Sequence, residues 1–420
     1  MKNTAIKKQI TPAFSYLAKW LLLSLVIGVI TGSVSAFFLT SLNWVTQWRQ
    51  NHVWIIALLP FGGLLIGLMY HYFGNSVVKG NNLLLEELHT PKKIIPLKMA
   101  PLVLLGTLAT HFFGGSAGRE GTAVQMGGAI ADQFTHFFKL NDNDRKIIII
   151  MGISAGFASV FGTPVAGAIF ALEVMMMGRR YYALLPGLLV AFVAHYSCMA
   201  WQVGHTHYSV PVIPEITTKI IICTAVAGIL FGLTAMFFSR VMHFFGSLFK
   251  DTISYAPLRP FIGGVLIALT VWALGTTKYI GLGVPTIVDA FSTSQPAYAF
   301  MIKLLLTAFT LGAGFKGGEV TPLFFIGATL GNALFLVFPL PMALLAAMGF
   351  VAVFAGATNT PIACTVMGIE LFGIDTGIYL GVACFAAYLF SGYKGIYSSQ
   401  IQGGIKHTLY SKLFKELPKH

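Results

Sequence analysis

One block of this chain occurs twice. Gly162-Thr163-Pro164-Val165-Ala166 leads through an apolar stretch to Glu173, and Asn359-Thr360-Pro361-Ile362-Ala363 leads in the same way to Glu370. Both copies share the Thr-Pro-aliphatic-Ala start, and both place the glutamate nine residues after the proline. Upstream of each lies a glycine-rich break that carries one acid: Gly118-Arg119-Glu120-Gly121-Thr122 and Gly318-Glu319-Val320-Thr321-Pro322. Glycines followed by proline in a first turn mark a helix start. Two related halves with such starts inside apolar sequence point to a repeat whose broken helices meet near mid-membrane.

Composition supports that setting. Hydrophobic residues make up 56% of the chain and charged residues 10%, against roughly a quarter charged in a soluble domain. Apolar runs recur from end to end, among them 20–42, 53–68, 101–113, 147–161, 220–238 and 378–390. A spanning helix needs about 20 apolar residues, and several runs are shorter or are broken by glycine and proline. The expected fold is an all-α polytopic membrane protein of partly spanning helices. Its expected divisions are a cytoplasmic segment 1–15, a first membrane repeat 16–205, a second 206–398, and a cytoplasmic tail 399–420 without a regulatory domain.

The net charge of +13 would suit nucleic acid, but its placement does not. Basic residues gather at the ends and between apolar runs: Lys2, Lys7 and Lys8; Lys92 and Lys93; Arg145 and Lys146; Arg179 and Arg180; Lys406, Lys412, Lys415 and Lys419. Cytoplasmic flanks look like this under the positive-inside rule. Both termini are therefore expected in the cytoplasm, with the lipid bilayer as partner and no nucleic acid. No signal peptide is evident in the first long apolar run. Cys198, Cys223, Cys364 and Cys384 stand singly without metal-ligand spacing and read as packing residues. No cofactor or metal is implied. An enzyme reading lacks its motifs, since His-Glu-x-x-His, Gly-x-Ser-x-Gly and Gly-x-x-x-x-Gly-Lys-Ser/Thr are absent.

Only 14 acids occur. Asp142, Asp144, Asp251, Asp375 and Glu416 read as loop or tail residues, whereas Glu120, Glu173, Glu319 and Glu370 are embedded in apolar sequence. A carboxylate in hydrocarbon costs ~2.5–3.5 kcal/mol even on the lenient insertion scale, so embedded acids are candidates for function. Glu173 and Glu370 each close an apolar run and equally suit its aqueous end. Glu120 opens a run directly after Gly114, Gly115 and Gly118. The free N–H groups and dipole of a helix start attract anions. An ionised acid there takes the anion's own position and leaves it when protonated, so one residue both competes with an anion and carries a proton. The plain alternative is a first-turn glutamate that stabilises its helix. Glu319 stands in the matching break, with a static helix cap as its plain alternative. Gly80-Asn81-Asn82 is a third glycine-led start, where asparagine caps the helix or offers its amide to a ligand.

Gly118-Arg119-Glu120-Gly121, the segment from Gly318 to Pro322, and Tyr397 in Gly395-Ile396-Tyr397-Ser398 resemble the anion-site signatures of the CLC family of chloride channels and proton-coupled antiporters. The motifs stand in family order from residue 80 to 397, nearly the whole chain. The resemblance implies an inverted repeat of tilted and broken helices, and a homodimer with one pore per subunit. It gives Glu120 the role of external gating glutamate and Tyr397 that of central-site tyrosine. Gly118, Arg119, Gly121 and Gly318 join the anion site by the same match.

Departures from the common chloride pattern carry more information. Asn81 replaces the central-site serine, Thr122 replaces a proline, and Glu319-Val320-Thr321 stands where an aromatic usually precedes the next proline. Val174, beside Glu173, occupies the register of the usual internal proton-transfer glutamate. This combination resembles the family's fluoride/proton antiporter branch. Fluoride is small and tightly hydrated, so its site needs strong donors, and the Asn81 amide and Thr321 hydroxyl supply them. Glu319 then offers the second protonatable group that Val174 cannot. The expectation is a secondary active antiporter in the bacterial inner membrane. It exports fluoride against inward protons through Glu120, Glu319 and Thr321, with anion contacts that include Thr122 and Val320, and so gives fluoride resistance. The rival is a chloride-selective member, against which Asn81 and Val320 speak.

Overall fold

The computed structural model describes residues 2–175, 181–401, 403, 406 and 408–410, with side chains described from residue 16 onward except that of Tyr181. Arg179, Arg180, Lys412, Lys415, Glu416 and Lys419 lie outside the described residues, as do the side chains of Lys2, Lys7 and Lys8. Sixteen α-helices, in two runs of eight, account for the regular structure among the described residues. The first run is α1 (Lys2–Asn51), α2 (Leu59–Tyr72), α3 (Asn81–His89), α4 (Met99–Phe113), α5 (Glu120–Phe137), α6 (Asp142–Phe161), α7 (Pro164–Glu173) and α8 (Leu184–Ala200). The second is α9 (Thr218–Thr252), α10 (Leu258–Leu274), α11 (Val284–Asp289), α12 (Ala299–Gly312), α13 (Val320–Leu334), α14 (Met342–Thr358), α15 (Pro361–Phe372) and α16 (Gly377–Phe390). A long helix opens each run and a short one stands third.

Three stretches are long and apolar enough to cross a membrane: Tyr16–Asn51, Val53–Tyr72 and Thr218–Thr252. At 15 residues each, α4 and α13 reach about 22 Å, short of a hydrocarbon layer ~30 Å thick. They are the broken helices expected from the sequence. Leu22, Phe37, Phe61 and Trp272 are exposed on the outside, an apolar surface of the kind that faces lipid.

The repeated motif builds one tight corner in each half. Helix α6 stops at Gly162 (φ 77°) and α14 at Asn359 (φ 58°), both left-handed. A threonine follows, and proline then opens α7 or α15. Small residues hold the neighbouring helices backbone to backbone. A Cβ on Gly127 would strike the carbonyl of Gly152, and one on Gly327 would strike that of Gly349. The pairs α5–α6 and α13–α14 therefore pack through matching glycines, as membrane helices do where side chains must give way.

Glu173 and Glu370 do not simply mark the aqueous ends of their helices. Ile362 N and Ala363 N at the start of α15 donate to the Glu173 carboxylate at 3.0 and 2.7 Å. Val165 N and Ala166 N at the start of α7 donate to Glu370 at 3.0 and 2.8 Å. Each repeat thus caps the broken helix of the other, and two free N-termini are already satisfied by protein carboxylates.

Arg145 also departs from its expected place as a loop charge. It is buried, and its guanidinium donates to Asp132 Oδ1 and Oδ2 at 2.8 Å each, to Glu87 Oε2 at 3.1 Å and to Lys93 O at 2.7 Å. Asp132 further accepts from Ile95 N, and Glu87 from Lys92 N and Lys93 N. This network ties the C-terminal end of α3 to α5 and α6, which fixes the direction in which α3 presents Asn81.

Candidate functional site

The two glycine breaks meet at one point. Gly118 N donates to Gly318 O at 2.6 Å, and Gly318 N donates to Gly118 O at 2.8 Å, in antiparallel fashion. Helices α5 and α13 start immediately beyond this crossing, so both N-termini open beside it. Helix α3 arrives from the side. Its N-cap Gly80 has φ 57°, and Gln125 of α5 packs where a Cβ on Gly80 would sit.

Asn81, Gly121, Gly318 and Glu319 converge here. A Cβ built on Gly121 would lie 3.0 Å from Asn81 Nδ2, 3.1 Å from Gly318 Cα and 3.4 Å from Glu319 Oε2. Asn81 Oδ1 and Glu319 Oε2 are both buried without a hydrogen-bond partner among the described residues. Buried polar atoms are nearly always paired, and an orphan calls for an explanation such as an unseen ion or water. Two orphans beside three helix N-termini mark a place that a water, a small polar ligand or a proton can complete.

Glu120 occupies part of that space itself. Its Oε2 accepts from Thr321 N at 3.0 Å and from Arg119 N at 3.1 Å, while Oε1 accepts from Thr321 Oγ1. Arg119 Nε stands 3.6 Å from Oε1. The Glu120 side chain starts on α5 and its carboxylate lands on the N-terminus of α13, where a bound anion would sit. It is 1% exposed.

Two cavities approach Glu120 from opposite ends of the molecule. The inner one, about 990 Å³, is lined by Asn81, Gln125, Lys316, Glu319 and Tyr397 among others. The outer one, about 840 Å³, is lined by Arg49, Arg119, Gln202 and Thr206 among others. Glu120 lines neither; its neighbour Arg119 lines the outer one and Glu319 the inner one. The C-terminal end of α1 lines the outer cavity, so the start of that helix lies away from it. Tyr397, at the start of the C-terminal segment, lines the inner cavity too.

Not every expected site residue faces this space. Thr122 Oγ1 pairs with Thr107 Oγ1 of α4 at 2.7 Å, inside a helix contact. The Val320 side chain is 2% exposed in the apolar core, so only its backbone N–H is available to a ligand. Val174 O accepts from Gln400 Nε2 at 3.0 Å, which fills the inner position with a structural contact. Sequence reasoning passed over Gln125 and Lys316, which belong to no repeated motif. The position of Lys316, two residues before Gly318, was the one available signal.

Known proteins share the sequence and the fold. The family model for voltage gated chloride channels matches residues 62–392. The chain is 53% identical over 399 residues to a chloride/fluoride channel protein of Pseudomonas syringae pv. tomato, covering 93% of this chain and 88% of that one. It is 26% identical to the H(+)/Cl(-) exchange transporter ClcA of Cronobacter sakazakii, over 90% and 88% of the two chains. Among solved structures it resembles a CLC-type fluoride/proton antiporter with a TM-score of 0.88 and 36% identity, over 91% of this chain and 98% of that one. A slow cyanobacterial Cl-/H+ antiporter, at a TM-score of 0.81 and 22% identity over 94% and 98%, shares the fold.

Proposed function

The chain belongs to the voltage gated chloride channel (CLC) family, and from that premise we propose that it exports fluoride from the cytoplasm in exchange for protons moving inward. The observation that carries this reading is the Glu120 carboxylate hydrogen-bonded onto the N-terminus of α13 between two cavities. A group that blocks an anion path by imitating the anion must lose its charge to open it, and the proton that neutralises it is the coupling ion.

The cycle follows from that competition. Fluoride arrives from the inner cavity and loses its water to the N–H groups of the converging helices, the Asn81 amide and the Tyr397 hydroxyl. A proton from the outer cavity, past Arg119, neutralises Glu120. The neutral carboxyl gives up the charge-assisted bonds from Arg119 N, Thr321 N and Thr321 Oγ1 and leaves the α13 N-terminus to fluoride, which departs outward. The proton passes to Glu319 and on through the inner cavity. Gly118, Gly121, Gly318 and the Val320 N–H frame the passage, and Thr122 holds α5 against α4.

The preference for fluoride is supported by Asn81, Glu319 and Thr321 at this point of the chain, and by the likeness to a fluoride/proton antiporter structure. The basic flanks support a bacterial inner membrane location with both ends in the cytoplasm. A homodimer with one pore per subunit completes the proposal, and fluoride resistance is its expected consequence for the cell. Glu120→Gln tests the coupling role. The variant should bind fluoride yet move no protons with it, and coupled exchange at the wild-type rate in that variant would rule the role out.

A further inference from the structure

The inner cavity carries a cation that the exchange cycle above does not use. Lys316 lines it, on the segment leading into Gly318 and Glu319. Its stem is gripped between two helices. A Cβ on Gly106 of α4 would lie 2.9 Å from Lys316 Cβ and 3.0 Å from Cγ, so α4 passes at glycine distance. Its Nζ stands 4.1 Å from the ring centroid of Tyr70 on α2, a cation–π placement. No carboxylate of the described residues pairs with it.

Of the other basic groups that line the cavity, Lys79 pairs with Glu86, whereas Arg259 and Lys250, like Lys316, have no carboxylate partner among the described residues, and His71 and His243 complete the set. Lys79 donates to both Glu86 oxygens at 3.0 and 2.7 Å, Arg259 Nε donates to Ile253 O, and His243 Nε2 contacts Gly395 O. Lys250 is exposed. Deeper in, the carboxyl of Glu319 would repel an arriving anion whenever it is ionised. A pinned, acid-free ammonium on the same wall offsets that repulsion, and charge on a low-dielectric wall raises the local concentration of the opposite ion.

We infer that Lys316 is the docking residue for the anion on its way from the cytoplasm to the Asn81–Glu319 site, setting affinity from that side only. The inference rests on the proposed anion path. It differs from the role of Glu120, because Lys316 acts before the coupling step and touches no proton.

The test is the apparent KM for fluoride measured separately from each face of unidirectionally reconstituted vesicles. Lys316→Gln should raise the inner-face KM by about 5- to 10-fold with kcat kept, and should flatten its dependence on ionic strength. The outer-face KM should not move, and Lys316→Arg should stay within about twofold of wild type. Lys316→Cys, treated in the same vesicles with a cationic aminoethyl thiol reagent, should regain the low KM, whereas a neutral methyl reagent should not restore it. An unchanged inner-face KM in Lys316→Gln would overturn the inference. So would equal changes on both faces, or a failure of the cationic reagent to restore affinity. Wild-type vesicles that carry chloride and no fluoride would sink the fluoride reading alone, and the same asymmetry would then be read with chloride.

Discussion

Glu120, Glu319 and Asn81 gather beside the Gly118–Gly318 crossing, yet their surroundings differ. Glu120 accepts from Arg119 and Thr321, so its carboxyl is fixed at the start of α13. Glu319 and Asn81 each keep an orphan oxygen, so both are poised for something that arrives. Asn81→Ala removes a donor from the ligand without breaking a described internal bond. Fluoride KM should therefore rise by about 10- to 100-fold, the worth of one hydrogen bond to an ion, while thermal stability stays near wild type. Glu319→Gln keeps the shape and removes the titrating group, so fluoride binding measured by calorimetry should persist while proton movement stops. The convergence of these residues was legible because a lone acid or amide beside glycines in apolar sequence has few plain uses. The network of Arg145, Asp132 and Glu87 was not legible. Nothing in the spacing of Asp132 and Arg145 separates a buried ion pair from two charges on a solvated helix, and only the packing of α3 against α5 and α6 does so.

At the scale of elements, the two repeats exchange carboxylates. Glu173 accepts the first N–H groups of α15 and Glu370 those of α7, so each capping bond is also a clamp between halves. Removing either group by substitution with alanine leaves two N–H donors without their acceptor. Each of Glu173→Ala and Glu370→Ala should cost about 1–2 kcal/mol, read as a lower midpoint of thermal aggregation in detergent, with the anion-to-proton ratio unchanged in the folded fraction. An altered ratio would contradict the purely structural role given to both residues here. The Thr-Pro start and the glutamate nine residues later were plain in the sequence as a repeat. Their partnership was hidden, because 189 residues separate Glu173 from Ile362 and a repeat seen along the chain does not state how its copies face one another. An antiparallel arrangement is what turns two identical motifs into mutual caps.

On the scale of the whole molecule, two cavities of about 990 and 840 Å³ approach one carboxylate from opposite sides. In the proposed cycle a single barrier of this kind, opened by protonation, lets a rigid frame of close-packed helices exchange two ions of opposite charge without a large rearrangement. The broken helices were foreseeable from the lengths of the apolar runs. The cavities were not, since one is walled by α2, α4, α9 and the segment before α13, and the other by α1 and the segments 201–206 and 277–286, which lie far apart in sequence. The most direct test loads vesicles containing the purified protein with fluoride and chloride together, then follows both anions and external pH in one vessel. The account predicts that fluoride leaves, chloride stays and the external medium becomes more alkaline as protons move inward, faster when the starting external pH is lower. Chloride loss at a rate comparable to that of fluoride, or fluoride loss with no change in external pH, would contradict it.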